Sequence, residues 1–128
     1  AYTPFICRGT TAEPRFIDFM EDSKGTQIYR QKKNATQVVS AKVAAEMKYM
    51  LKNVVNEGTG KRVRGLPGET GGKTGTTNDN RDAWFIGFNN HLLTGVWVGH
   101  DRNQSLGKHE NGGKTAAPVW LDFMKRIR

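Results

Sequence analysis

The chain has 128 residues, with 20 Lys and Arg against 12 Asp and Glu and a formal net charge of +8. That length suits one domain, and a hydrophobic fraction of 36% with a mean hydropathy of -0.66 is lean for a self-contained core but is not a disordered composition. No apolar run approaches the roughly 18 residues that a membrane-spanning helix needs, and the single Cys7 excludes an internal disulfide and fits no metal-ligand spacing.

The chain opens Ala1-Tyr2-Thr3-Pro4, with no initiator Met and no signal-peptide pattern, and is expected to be a segment of a longer protein. Cys7 is expected to be a small buried apolar residue. Residues 13–30 read as a β-hairpin. Phe16-Ile17-Asp18-Phe19-Met20 and Gln27-Ile28-Tyr29-Arg30 are β-prone, and Asp22-Ser23-Lys24-Gly25 supplies turn chemistry. Pro14 can open the first strand without losing a needed donor. Lys32-Lys33-Asn34 follows as a polar loop.

Ser40 reads as an N-cap, because its hydroxyl can accept a free N–H of the first helical turn. A helix is predicted over 41–57, with Val43, Met47, Met50, Leu51 and Val54 at helical spacing and Gly58 as its stop. Gly58-Thr59-Gly60 and the basic residues after it read as a mobile loop. Residues 71–98 suggest a three-stranded antiparallel meander, with strands at Gly71–Thr77, Ala83–Phe88 and Leu92–Val98 and a tight turn at Asn89-Asn90. Trp84, Phe85, Phe88 and Trp97 are expected to face a covered core. A last helix is predicted over 116–127. Pro118 stands in its first turn, and Trp120, Phe123, Met124 and Ile127 form an apolar stripe. The fold class is therefore α+β, an antiparallel sheet with covering helices.

Basic residues cluster at Arg30, Lys32 and Lys33, at Lys61, Arg62 and Arg64, and at Lys125, Arg126 and Arg128. No aromatic interleaving or recognisable nucleic-acid module accompanies them, so no nucleic-acid partner is expected. They read first as a solvated face, with attraction to an anionic polymer or membrane surface as a secondary benefit. His91, His100 and His109 lack Ser, Asp or metal partners at telling spacings, and no metal or cofactor is expected.

The most informative stretch is Gly71-Gly72-Lys73-Thr74-Gly75-Thr76-Thr77. Gly75 lets another backbone approach closely. Thr74 and Thr76, two apart in a strand, point to the same side, with Gly75 between them facing the other way. Two hydroxyls and the Lys73 ammonium converging on one side would bind a carboxylate. An exposed strand can also pair with an extended peptide. The bland reading is a Gly-rich turn with a solvated lysine. A nucleotide-binding loop needs Gly, four residues, then Gly-Lys-Ser/Thr opening a helix. Pro67 stands where the first glycine belongs, and strand-like residues follow, so both spacing and context fail.

Lys73-Thr74-Gly75, followed by Arg81-Asp82-Ala83-Trp84-Phe85-Ile86-Gly87, resembles the class A, bifunctional penicillin-binding proteins. Gly58-Thr59-Gly60, Val96-Trp97-Val98-Gly99 with Asp101, and Gly112-Gly113 before Ala116-Ala117-Pro118-Val119-Trp120 are similar to that family in the same order. The resemblance implies the C-terminal portion of a penicillin-binding, serine β-lactamase-like transpeptidase fold. Its activity would be that of a DD-transpeptidase that cross-links peptidoglycan stem peptides and is acylated by β-lactams. It would act at the extracytoplasmic face of the bacterial cytoplasmic membrane, anchored outside this chain. By the same resemblance, Lys73 supports the proton network and binds the substrate carboxylate, which the hydroxyls of Thr74 and Thr76 hold. Gly75 lets the peptide lie alongside the strand, and the Thr76 backbone N–H is one oxyanion-hole donor.

The family's serine motifs, Ser-x-x-Lys and Ser-x-Asn, precede Lys-Thr-Gly. No Ser-x-Asn occurs here, and Ser105-Leu106-Gly107-Lys108 comes after the strand in poor helix context. Ser105 is therefore expected to be a loop residue rather than a nucleophile. The rest of the transpeptidase domain and a glycosyltransferase domain would be the remainder of the same protein. The alternative is a non-catalytic peptide- or glycan-binding module using the same strand. Asp82 reads as a strand anchor rather than a general base.

Overall fold

The computed structural model describes residues 1–32 and 34–127; Lys33 and Arg128, named in the basic clusters, lie outside the described residues. The chain divides into two compact units, Ala1–Ala45 and Glu46–Arg128.

The first unit begins with a short helix, α1 (Thr3–Ile6), opened by Pro4, and carries two small antiparallel pairs. β1 (Thr10–Ala12) pairs with β4 (Ala35–Gln37), and β2 (Phe19–Glu21) pairs with β3 (Gln27–Arg30). The β2–β3 hairpin is tighter than the 13–30 span expected, because residues 13–18 stay outside the ladder. Its turn forms as Asp22 dictates: one carboxylate oxygen accepts the N–H groups of Lys24 (2.8 Å) and Thr26 (2.9 Å), and Gly25 takes φ +80. Those backbone donors, Thr26 first, hold the Asp22 carboxyl below its ordinary value. Cys7 is exposed rather than buried, since it caps α1 ahead of the left-handed Arg8 and Gly9 instead of entering a strand.

Helix α2 (Ala41–Asn56) starts where Ser40 accepts the Val43 N–H at 3.2 Å. It stops one residue short of the expected end. The Gly58 N–H closes onto the Asn53 carbonyl, and a Cβ at Gly58 would lie 2.9 Å from Val54. Its buried residues are Ala44, Leu51 and Val55, whereas Val43 and Met50 are exposed. The buried stripe is rotated from the one expected: Ala44, Leu51 and Val55 lie on it in place of Val43 and Met50.

In the second unit, β5 (Gly71–Thr76), β6 (Asp82–Phe88) and β7 (Leu93–Gly99) form an antiparallel sheet in the order β5-β6-β7. Asn89 caps the β6–β7 connection by accepting the N–H groups of His91 and Leu92, each at 2.9 Å. The last helix is shorter than 116–127: a single π-type turn at Gly112–Ala116 leads into α3 (Ala117–Arg126). Ala117, Trp120 and Met124 are buried, whereas Phe123 and Ile127 are exposed. The core gathers Val55, Val63, Ala83, Phe85, Ala116, Ala117, Trp120 and Met124. Phe85 and Trp120 meet edge to face with centroids 5.2 Å apart.

The strand period divides the aromatics of β6 and β7. Ala83, Phe85 and Gly87 face α3 and are buried, while Trp84 and its cross-strand partner Trp97 face the other way, 43% and 45% exposed. The expectation of a covered core for both tryptophans fails because period 2 turns them to the face opposite α3.

Candidate functional site

β5 is an edge strand, and its glycines explain how it fits. A Cβ on Gly71 would lie 2.4 Å from the Phe88 ring, and one on Gly72 would lie 2.7 Å from both the Phe85 ring and the Ile86 carbonyl. The strand therefore sits down on the aromatic core at one end and carries its polar residues at the other.

Register fixes where those residues point. Thr74 and Thr76 stand opposite Phe85 and Ala83, so their side chains share the α3-facing side. Lys73 and Gly75 stand opposite Ile86 and Trp84 on the other side. The convergence of ammonium and hydroxyls on one face is thus corrected. The period-2 alternation that aligns the two threonines sends Lys73 to the opposite face. The groups can meet only beyond the free edge of the strand.

That edge is defined by the hydrogen-bond alternation. The Thr77 N–H donates to the Asp82 carbonyl at 3.2 Å, which makes Thr77 and Asp82 an inward-bonded pair. In an antiparallel ladder inward and outward pairs alternate, so the N–H and C=O groups of Thr74 and Thr76 point away from β6. Lys73 Nζ donates to the Thr74 carbonyl at 2.8 Å, as an outward-pointing carbonyl allows.

Each threonine hydroxyl is held from behind. Thr74 Oγ1 lies 2.7 Å from Thr59 Oγ1, and Thr76 Oγ1 accepts the Gly112 N–H at 3.1 Å. Gly112 must be glycine, since a Cβ would fall 2.1 Å from the Trp84 carbonyl and 2.6 Å from that of Gly75. The π-type turn that presents Gly112 is capped by Asn111, whose side chain accepts the Lys114 N–H at 3.0 Å. Thr115 and then Lys114 hold the Glu110 carboxyl below its ordinary value beside this turn.

The end of β5 is latched to the sheet by Asp82. One carboxylate oxygen accepts the Thr77 hydroxyl (2.9 Å) and the other accepts the Trp97 indole N–H (2.9 Å), while the Asp82 N–H donates back to Thr77 Oγ1 (2.8 Å). Asp82 anchors the strand as expected, but through Thr77 and Trp97; Arg81 pairs instead with Asp79 at 2.9 Å. The intervening turn puts Asp79 and Asn80 in left-handed backbone, φ 60 and 52. An open cavity of about 490 Å³ beside it is lined by Thr76, Thr77, Asn78, Arg81, Asp82 and Asn103.

Ser105 belongs to this turn. Its hydroxyl donates to the Asp79 carbonyl at 2.7 Å and accepts the Gly107 N–H at 3.2 Å, which employs it in tying two loops together. Among the described residues no group of three His, Cys, Asp or Glu side chains could hold a metal, and no helix is long and apolar enough to cross a membrane.

Thr59 and Thr77 were not singled out as site residues by the sequence. Thr59 had a signal, a hydroxyl flanked by two glycines, but it read as a mobile loop. In the structure Gly60 is buried, and its N–H donates to the Val54 carbonyl at 2.9 Å.

The family model described as "penicillin binding protein transpeptidase domain" matches residues 1–125. A penicillin-binding protein 1A of Aquifex aeolicus is 42% identical over 127 residues, 99% of this chain and 18% of the relative. That of Neisseria lactamica is 37% identical over 131 residues, 98% of this chain and 16% of the relative. The crystal structure of penicillin-binding protein 1A from Haemophilus influenzae superposes with a TM-score of 0.88 at 27% identity, covering 97% of this chain and 24% of that one. The chain thus spans under a fifth of the length of these two curated relatives.

Proposed function

This chain belongs to the penicillin-binding protein transpeptidase domain family, and we propose that it supplies the substrate-binding edge of a serine DD-transpeptidase that cross-links peptidoglycan stem peptides and binds β-lactams. The observation that carries this reading is the free edge of β5, where Thr74 and Thr76 turn backbone N–H and C=O groups away from β6. A stem peptide lies along that edge, and Gly75 leaves the approach open. The hydroxyls of Thr74 and Thr76 and the ammonium of Lys73 hold its carboxylate from the two sides of the strand. The Thr76 N–H, fixed before the acyl carbonyl arrives, donates to the oxyanion, a contribution on the order of 2.7–4 kcal/mol to the transition state. Lys73 also supports the proton network around the nucleophile.

The acylated serine and its lysine base are assigned to polypeptide outside residues 1–128, since Ser105 is engaged with Asp79 and Gly107. The same assignment places a glycosyltransferase domain and the membrane anchor outside this chain, with the site on the extracytoplasmic face.

The test is acylation by a fluorescent penicillin, read by intact mass. The complete polypeptide should take up one label, and residues 1–128 alone should take up none. A stoichiometric adduct on the isolated chain, above all at Ser105, would overturn the assignment. An isolated chain that binds stem peptide tightly, within a complete protein that is never acylated, would favour a non-catalytic binding module.

A further inference from the structure

The two threonines of β5 are supported by chemically different partners. Thr76 Oγ1 receives the Gly112 N–H, which can only donate. Accepting that bond leaves the Thr76 proton available to a ligand. Thr74 Oγ1 faces another hydroxyl, Thr59 Oγ1, at 2.7 Å, and either oxygen can donate. If Thr74 gives its proton to Thr59, it has none for a carboxylate. If Thr59 donates, the Thr74 proton is directed off the edge and polarised by the bond it accepts.

Thr59 is also held in place. The Gly58 N–H donates to the Asn53 carbonyl and the Gly60 N–H to the Val54 carbonyl, so the backbone on both sides of Thr59 is tied to the end of α2. Gly113 packs against it as well, since a Cβ there would lie 2.5 Å from the Thr59 carbonyl. The hydroxyl is thus presented by backbone, not by a free loop.

We infer that Thr59 is a positioning residue, whose hydroxyl donates to Thr74 and thereby commits Thr74 as a donor to a ligand carboxylate. This rests on the proposed role of Thr74 in carboxylate binding. Thr59 touches no ligand and acts only through Thr74.

The test uses the complete polypeptide carrying Thr59→Val, Thr59→Ser or Thr74→Val, and the second-order acylation rates of a penicillin and of its methyl ester. Thr59→Val should slow the free acid about fivefold, the size of one net hydrogen bond, and leave the ester within about twofold. Thr59→Ser should restore the acid rate. If Thr59→Val does not fold, Thr59→Ala carries the same expectation. Equal slowing of acid and ester would overturn the inference in favour of a purely structural role. Selective slowing by Thr74→Val with none by Thr59→Val would also overturn it, while leaving the carboxylate site standing. An acid-to-ester ratio unmoved by Thr74→Val would remove the carboxylate role itself, and this inference with it.

Discussion

Gly72 and Gly87 stand directly opposite each other in β5 and β6, and the space their missing side chains leave is filled by the Phe85 ring. A Cβ on Gly87 would lie 2.6 Å from Phe85 and 2.8 Å from the Trp120 indole, two fully buried rings with no room to retreat. The strand that carries Lys73, Thr74 and Thr76 is therefore seated by aromatic packing beneath a glycine pair.

Gly87→Ala should accordingly destabilise the fold by about 1–3 kcal/mol through overpacking. Gly95→Ala is the control, since its Cβ would meet only Ile86 at an ordinary 3.5 Å. Denaturant midpoints compare the two. Equal midpoints would mean that the Phe85–Trp120 pair yields freely.

Glu69 precedes β5 and bridges Lys48 and Lys52 of α2, with Lys52 at 2.9 Å. Hydrogen bonds from Lys48 and then Lys52 lower its carboxyl from 4.5 to about 2. A depressed carboxyl pKa stabilises the fold fully above the unfolded value and loses that contribution as pH falls from about 4.5 towards 2. The Glu69 side chain is 47% exposed, so solvent screening limits each pair to about 0.2–1 kcal/mol. Glu69→Gln should flatten the loss of stability in that acid window and weaken its salt dependence. An unchanged acid limb would show that the bridge contributes nothing in solution.

Much of this arrangement was readable in the chain because single residues dictate local geometry. Asp22 with Gly25 specifies a turn, Ser40 a helix start, and Gly58 its stop, and each does so through hydrogen bonds to its own neighbourhood. The Lys73–Thr76 strand was readable for the same reason. What sequence could not give was facing and cover. Trp84 and Trp97 look like core residues by type, yet period 2 places them on the side opposite α3. Residue type groups Lys73 with Thr74 and Thr76, whereas the register puts it on the opposite face. Phe16, 95% exposed, has β-strand chemistry but no partner strand among the described residues. Thr59 was hidden because its meaning depends on Thr74, fifteen residues away, meeting it across a loop.

The outward Thr76 N–H gives a third expectation, made for the complete polypeptide. Thr76→Ala removes the hydroxyl but keeps the N–H. Thr76→Pro removes the donor itself, at an edge position where the ring disturbs no bond to β6. Acylation should fall further in the proline variant, by the roughly 10²–10³-fold associated with loss of an oxyanion donor. Matching rates in two folded variants would eliminate the donor role.

The last prediction concerns residues 1–128 studied by themselves. Trp84 and Trp97, their rings 6.3 Å apart, lie on the sheet face that α3 does not cover, and β7 ends the sheet with an edge that pairs with no strand among the described residues. Phe19, Met20, Ile28 and Tyr29 of the β2–β3 hairpin are exposed as well. Exposed aromatic area and a free strand edge both favour association. The isolated chain should therefore either unfold at a stability below the roughly 5–15 kcal/mol of whole domains or sediment increasingly as an oligomer as concentration rises. Trp84→Thr removes half of the indole pair while sparing the Trp97 bond to Asp82. It should shift the sedimentation profile towards monomer while changing the unfolding free energy by no more than about 0.5 kcal/mol, as expected for an exposed site. A chain that remains monomeric at every concentration, with a sharp unfolding transition inside the whole-domain range, would show that this sheet face needs no cover.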